Sequence, residues 1–291
     1  MKARVKEEAL LMEFVHGLLG SASSTSVRKM LKTGRVKVDG EPVLRGDVIV
    51  EPGQSVEVLP TGEATVVRRE HVPKLPFRIL YEDADLVAVD KPAGLLTMGN
   101  AKERDRTAYR LLSGYLKATE GKRVFIIHRL DRDVSGVIVF AKSEAAKRTV
   151  QKGWEHARKT YYAAVHGRPK GKSGTVRNWL AENTAMKAYV SEEGKEGARE
   201  AVTNWSVVSE QTGYTVLKVE IETGRKHQIR VHMAGLGCPI VGDKVYGVKG
   251  QDPALPGLKY GIGLHAARLE FTHPTSGRTL KLRATLPAWA K

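Results

Sequence analysis

The run His128-Arg129-Leu130-Asp131-Arg132-Asp133-Val134-Ser135-Gly136 sets a carboxylate between two arginines and closes on a small turn pair. Neighbouring cations favour the charged form of an acid, so Asp131, flanked by Arg129 and Arg132, is expected to be ionised. An ionised carboxylate can serve as a nucleophile or as a base. Taken alone, the run also fits an ordinary acidic surface turn. A second run shifts the balance: Thr223 to His232 crowds Arg225, Lys226, His227, Gln228, Arg230 and His232 into one short stretch. A solvated basic face has a similar composition. Directly downstream, however, Gly235, Gly237, Gly242 and Gly247 punctuate the chain. Repeated glycines suit backbone that closely approaches a ligand or another strand.

These residues need elements to hold them. Val137 to Ala141 is a continuous apolar run rich in β-branched residues, the pattern of a buried strand, so Asp131 is expected in a loop entering a sheet. If Ile229 and Val231 point inward on a strand, Arg230 and His232 point to its other face. Further short runs at Leu86 to Val89, Tyr161 to Val165, Tyr214 to Ile221 and Leu280 to Leu286 are separated by Gly/Pro turns. Helical regions are expected from Thr107 to Ala118 and from Ser143 to Trp154. Residues 166 to 199 hold two glycine- and charge-rich patches that read as exposed loops. The pattern argues against a regular βαβ winding.

Three stretches, His128 to Gly136, Thr223 to His232 and Gly235 to Gly247, together resemble the signature of the RluA-type family of pseudouridine synthases. Asp83 to Leu95 (DADLVAVDKPAGL), Lys159 to Gly167 (KTYYAAVHG) and Leu264-His265-Ala266 add to the likeness, which runs in order over about residues 77 to 291. Val134 departs from the usual Thr and removes a hydroxyl beside the loop, which puts its rigidity in question. Met98-Gly99-Asn100-Ala101 lacks the His-Pro of many relatives, and target preference is expected there.

The resemblance implies an α+β catalytic domain on a mixed, largely antiparallel bent sheet, with the active site in a cleft across it. It implies isomerisation of uridine to pseudouridine, without cofactor or metal. Asp131 would be the catalytic carboxylate, acting on the sugar or ring or abstracting a ribose proton. Stacking hides the target atoms, so the uridine must flip out. Arg129 would prop the vacated stack, since a guanidinium stacks on bases and binds phosphate. Tyr161 would lie against the flipped uracil, and its hydroxyl would help remove the proton at ring carbon 5. Arg225 is the expected ion-pair partner of Asp131, with Arg230 the runner-up. His128, Arg230 and His232 are further expected RNA contacts.

A formal charge of +16 over 291 residues, with a pI near 9.8, suits a polyanionic partner whose phosphates release counterions on binding. The lone Cys238 allows no internal disulfide and suits a reducing cytoplasm; packing is its expected role. Neither a secretory pattern nor a membrane-length apolar run occurs. Residues 1 to 60 read as a separate module, 61 to 76 as a linker, and 77 to 291 as the catalytic domain. Leu11, Phe14, Val15, Leu18 and Leu19 follow amphipathic-helix spacing. Ser23, Ser24 and Thr25 offer caps for a second helix that Gly34 can end. Val36 and Val38 then lead into the Asp39-Gly40 turn. With Arg28, Lys29, Lys32, Arg35 and Lys37 on the second helix and its exit, this small α/β module resembles the RNA-binding domain named after ribosomal protein S-four.

Ribosomal RNA of the large subunit is the expected substrate and transfer RNA the alternative, for a cytoplasmic monomer. A silent ribosome-assembly factor would not need Asp131, Arg129 and Tyr161 all intact. A glycosidase would need a second carboxylate that these motifs do not supply.

Overall fold

A computed structural model describes residues 1–60, 73–248, 250 and 252–291. The chain divides into two units, Met1–Val72 and Pro73–Lys291. Most of the stretch read as a linker, residues 61–72, lies outside the described residues; Pro73 to Pro76 falls in the second unit.

In the first unit, helix Leu11–Leu19 buries Leu11 and Val15 and packs Phe14, Leu18 and Leu19 at the margin of the same core. Helix Ser24–Lys32 is capped by Ser23, whose hydroxyl accepts from the Ser26 amide, satisfying one of the free donors of the first turn. Its buried residues are Val27 and Leu31, and Gly34 follows with a φ of 69°. Asp39 and Gly40 both have positive φ and join strands Val36–Val38 and Glu41–Pro42, as a type I′ hairpin requires. The antiparallel sheet runs Lys2–Arg4, Ser55–Val58, Val36–Val38, Glu41–Pro42.

In the second unit, eleven strands among the described residues form one sheet. Its central order is Tyr214–Ile221, Arg158–Val165, Leu264–Thr272, Ser135–Ala141, Leu86–Lys91. Every pairing is antiparallel except that of Ser135–Ala141 with Leu264–Thr272. At this parallel junction Gly136 lies directly against the Ala266 carbonyl with a φ of 114°, so any Cβ there would fall on that oxygen.

Strand Ser135–Ala141 is buried on both faces, as its unbroken apolar run anticipates. Ile138 and Phe140 join the core under helix Ala108–Glu120, and Val137, Val139 and Ala141 join the core under helix Glu144–Lys152. Thr107 and Ser143 cap these helices through their hydroxyls. Phe140 is fully buried in this packing, where truncation to Ala costs about 3–5 kcal/mol.

One expectation needs correction. The Thr223 to His232 run does not form a strand: Gln228–Gly235 is a helix, with His227 as its N-cap. Residues Gln228 to Met233 are all buried, so this part of the helix has no solvent-exposed face whose period could have separated it from a strand. The two glycine- and charge-rich patches within residues 166 to 199 fall in loops at 166–172 and 192–198, and between them strands Ser173–Glu182 and Ala188–Ser191 pair as a hairpin.

Candidate active site

Asp131 stands in the loop between strands Phe125–Ile126 and Ser135–Ala141, and four successive carbonyls of that loop are tied down. The Thr97 hydroxyl donates to the Leu130 carbonyl at 2.8 Å, and the Val134 amide to that of Asp131 at 3.2 Å. The Arg132 carbonyl accepts from the Gly94 amide at 2.8 Å and from Lys91 Nζ at 3.3 Å, and the Ile262 amide reaches the Asp133 carbonyl at 3.1 Å. Val134, where the family usually has Thr, is buried in the core, and Thr97, Lys91 and the backbone make the contacts that hold the loop. Lys91 is fully buried, and its ammonium also meets the carbonyls of Pro92 and Leu95. Burial pushes its amine down to about 7, against the pull of the Asp131 and Asp133 charges.

Arg230, not Arg225, pairs with Asp131. Its Nη1 lies 3.1 Å from Asp131 Oδ2, while Nε and Nη2 bind the two oxygens of Asp243 at 2.7 and 2.9 Å. Arg225 instead donates from Nε to the Glu200 carbonyl at 2.9 Å. The helix explains the exchange, because Arg230 lies in its first turn and is buried, whereas Arg225 precedes the cap. Burial works against the ionisation of Asp243, but Arg230 together with the amides of Val245 and Tyr246 holds its carboxyl below the usual range.

His227 occupies left-handed backbone, φ 52° and ψ 19°, and this unusual cap turns its ring toward the loop. Its Nε2 lies 3.6 Å from Asp131 Oδ2 and its Nδ1 3.0 Å from the Tyr246 hydroxyl. The Tyr246 hydroxyl also lies 3.0 Å from the Ala188 carbonyl. If its proton goes to that carbonyl, His227 Nδ1 carries hydrogen and Nε2 is the free acceptor. Burial holds the imidazole below its usual range, partly offset by the Asp131 charge. Neither His227 nor Asp243 had an assigned role from sequence. Their placement in the GRKHQIR and GDKVYG stretches was the available signal.

A cavity of about 90 Å³ opens beside Asp131, walled by Arg129, Tyr161, Ile221, His227 and Leu264. Asp131 is 21% exposed there, and it is the one carboxylate on that wall among the described residues. Burial, and then the Asp131 charge, push the Tyr161 phenol well above its ordinary value, so it stays protonated. Arg129 is exposed and has no carboxylate within ion-pair distance among the described residues.

Two expected RNA contacts are occupied in the fold. His128 accepts from the Val139 amide at 3.2 Å and packs against the Trp154 ring at 4.7 Å; burial pushes it down to about 3. His232 is 1% exposed, with Nδ1 on the Thr203 hydroxyl at 2.8 Å and Nε2 on Asn178 Oδ1 at 2.9 Å. Arg230, also expected to touch RNA, is spent on the two aspartates. Arg28, Lys29 and Lys32 are exposed in the first unit, while Arg35 donates to the Leu59 carbonyl at 2.9 Å. Cys238 is buried and free. No helix among the described residues is long and apolar enough to cross a membrane, and none of their His, Cys, Asp and Glu clusters could hold a metal.

A family model described as RNA pseudouridylate synthase matches residues 85–235. An uncharacterized RNA pseudouridine synthase of Synechocystis is 33% identical over 279 residues, 93% of this chain and 83% of that one. The ribosomal large subunit pseudouridine synthase D of Vibrio cholerae is 32% identical over 299 residues, 95% of this chain and 87% of that one. Among solved structures, human RNA pseudouridylate synthase domain containing 4 aligns with a TM-score of 0.59 and 26% identity, over 73% of this chain and 89% of that one. The carboxylate-bearing loop and the buried Arg230 helix both fall inside the matched span, and the chain belongs to the RluA-type family of RNA pseudouridine synthases.

Proposed function

We propose that the protein converts specific uridines of large-subunit ribosomal RNA to pseudouridine, with Asp131 as the carboxylate that starts the reaction. The observation that carries this is the cavity wall, where a single carboxylate, fixed through its backbone and through Arg230, faces the same space as Tyr161. A paired-carboxylate hydrolysis lacks its second member there.

The reaction breaks the bond between ribose carbon 1 and ring nitrogen 1, turns the base, and joins the same sugar carbon to ring carbon 5. Ring carbon 5 then loses a proton, and nitrogen 1 ends protonated. Asp131 supplies the electron pair that opens the first bond, either by adding to the sugar or ring or by taking a ribose proton. Tyr161 lies against the flipped base, a contact worth about 1–3 kcal/mol in single-strand binding. Because its phenol is held protonated, Tyr161 is a hydrogen-bond donor before it is a base. The acceptors on the wall are Asp131 and, with Nδ1 protonated, His227 Nε2. Arg129, exposed at the rim, props the helix from which the uridine leaves.

The name of the Vibrio cholerae relative supports a large-subunit ribosomal target. So does the first unit, whose exposed Arg28, Lys29 and Lys32 suit phosphates of structured RNA, with Arg35 and Lys37 at the helix exit. The test is carbodiimide labelling and primer extension on total RNA from cells with and without this gene. Loss of one or a few stops in large-subunit RNA is expected. Loss confined to transfer RNA would move the substrate, and an unchanged pattern would overturn the reading. In vitro, Asp131→Asn should keep RNA affinity and release no tritium from uridine labelled at ring carbon 5; turnover within tenfold of the parent would remove Asp131 from the mechanism.

A further inference from the structure

Beyond Asp131 the cleft does not end. A cavity of about 250 Å³ lies on the outer side of the carboxylate, between Arg132, Leu96, Met98 and Val245. Met98, 45% exposed, is also part of the wall of a larger basin of about 880 Å³. One side chain thus forms the crest between the mouth of the active site and this basin.

The basin is lined by Arg104, Arg110, Arg123 and Lys147, with no carboxylate on its walls. Among the described residues, only Lys147 of these four has an acidic partner within 4 Å, Glu144 at 3.5 Å. Tyr109 and Phe125 line the same walls, and the Arg123 guanidinium rests 5.0 Å from the Phe125 ring centre. The turn that follows Ala101 is held by its own side chains. Asn100 Oδ1 accepts from the Lys102 and Glu103 amides at 2.9 and 2.8 Å, and Glu103 Oε1 from the Asp105 and Arg106 amides at 3.1 and 2.9 Å. The Met98 to Ala101 segment forms one wall.

We infer that this basin is a second RNA subsite, which takes the strand flanking the flipped uridine after it crosses Met98. Arg104, Arg110, Arg123 and Lys147 meet its phosphates, and Tyr109 and Phe125 offer faces to a base. Three arginines without an acidic partner among the described residues, on the same walls as two aromatic rings, match the chemistry of a single RNA strand, and the shared crest supplies the path. The identity of this occupant rests on the reading of the protein as an RNA isomerase; the placement of the basin does not.

The test is filter binding of an RNA fragment that contains the modified uridine, across a salt series. It compares the full protein, the exposed pair Arg110→Gln/Arg123→Gln, and the charge-matched control Lys117→Gln/Arg148→Gln, whose residues stand on helices Ala108–Glu120 and Glu144–Lys152 outside the basin. The basin pair should bind roughly tenfold more weakly near physiological salt, with the slope of log affinity against log salt reduced by about 1.4, two single-strand phosphates' worth. The control should move neither. RNA trimmed of one flank should bind the parent as weakly as the basin pair and should no longer distinguish the two proteins. Equal effects of pair and control, or a pair that still loses affinity on both trimmed RNAs, would overturn the subsite. Because binding is read without turnover, a parent that grips RNA through the basin yet forms no pseudouridine would sink the isomerase reading and leave the subsite standing.

Discussion

Arg230 reaches the Asp131 carboxylate through Nη1 alone, at 3.1 Å, because its other two donor positions are occupied by Asp243. The pairing is a relay of position: Asp243, with a side chain wholly shielded from solvent, fixes the guanidinium, and the guanidinium fixes the carboxylate. Only a flat fork can serve both acids at once.

Arg230→Lys keeps the charge and loses the fork. One charge-assisted hydrogen bond is worth about 1.5–3 kcal/mol, so single-turnover tritium release should fall roughly 10- to 150-fold while RNA affinity changes little. Arg225→Ala removes a bond to the Glu200 carbonyl and should cost less. The reverse order of the two effects would return Arg225 to the carboxylate.

His227 gives the site a pH dependence. Burial, only partly opposed by Asp131, holds its imidazole below the ordinary value of about 6.5, so it is neutral at pH 7. Acidification places a cation 3.6 Å from Asp131 and removes the acceptor at Nε2. The single-turnover rate should therefore decline on an acid limb whose midpoint lies below pH 6.5, and His227→Gln should lose that limb. An unchanged midpoint in the variant would assign the limb to another group.

Much of this architecture was legible because its signals are local. The Leu11 and Val15 stripe, the Ser23 cap and the Asp39-Gly40 turn each rest on neighbours within a few residues, and the two-sided burial of Ser135–Ala141 follows from its unbroken apolar run. The partner of Asp131 was not legible, since Arg230 is 99 residues away and only the tertiary fold selects it over Arg225. His232 shows the same limit from the other side. Its basic neighbourhood suggested a surface, but Gln228 to Met233 are all buried, and Thr203 and Asn178 use both ring nitrogens.

That burial has a consequence for acid stability. His232 Nε2–H donates to Asn178 Oδ1 and Nδ1 accepts from Thr203, a pattern only the neutral ring can make. Its folded-state value is pushed down to about 4, below the ordinary 6.5. The unfolded chain thus binds the extra proton first; the contribution is complete above pH 6.5 and is lost as pH falls toward 4. His128, pushed down to about 3, extends the same trend. The urea midpoint should drop across this window, and His232→Gln, which can donate and accept at the same partners, should show a shallower drop. Identical slopes for parent and variant would mean that His232 is already charged in the folded state.

The first unit should bind RNA without choosing the uridine. Arg28, Lys29 and Lys32 stand exposed on a helix capped by Ser23, and the unit has its own core around Leu11, Val27, Val36 and Val56. Contacts from such a face go to phosphates, which fix register but carry no sequence information. Deleting residues 1 to 60 should weaken binding to the natural RNA and flatten its salt dependence by about 0.9 for each duplex phosphate lost. The modified position, mapped by carbodiimide and primer extension, should stay the same. If the shortened protein marks a different uridine, the unit takes part in target choice; if its circular dichroism shows an unfolded chain, residues 1 to 60 belong to the catalytic core and the division into two independent domains fails.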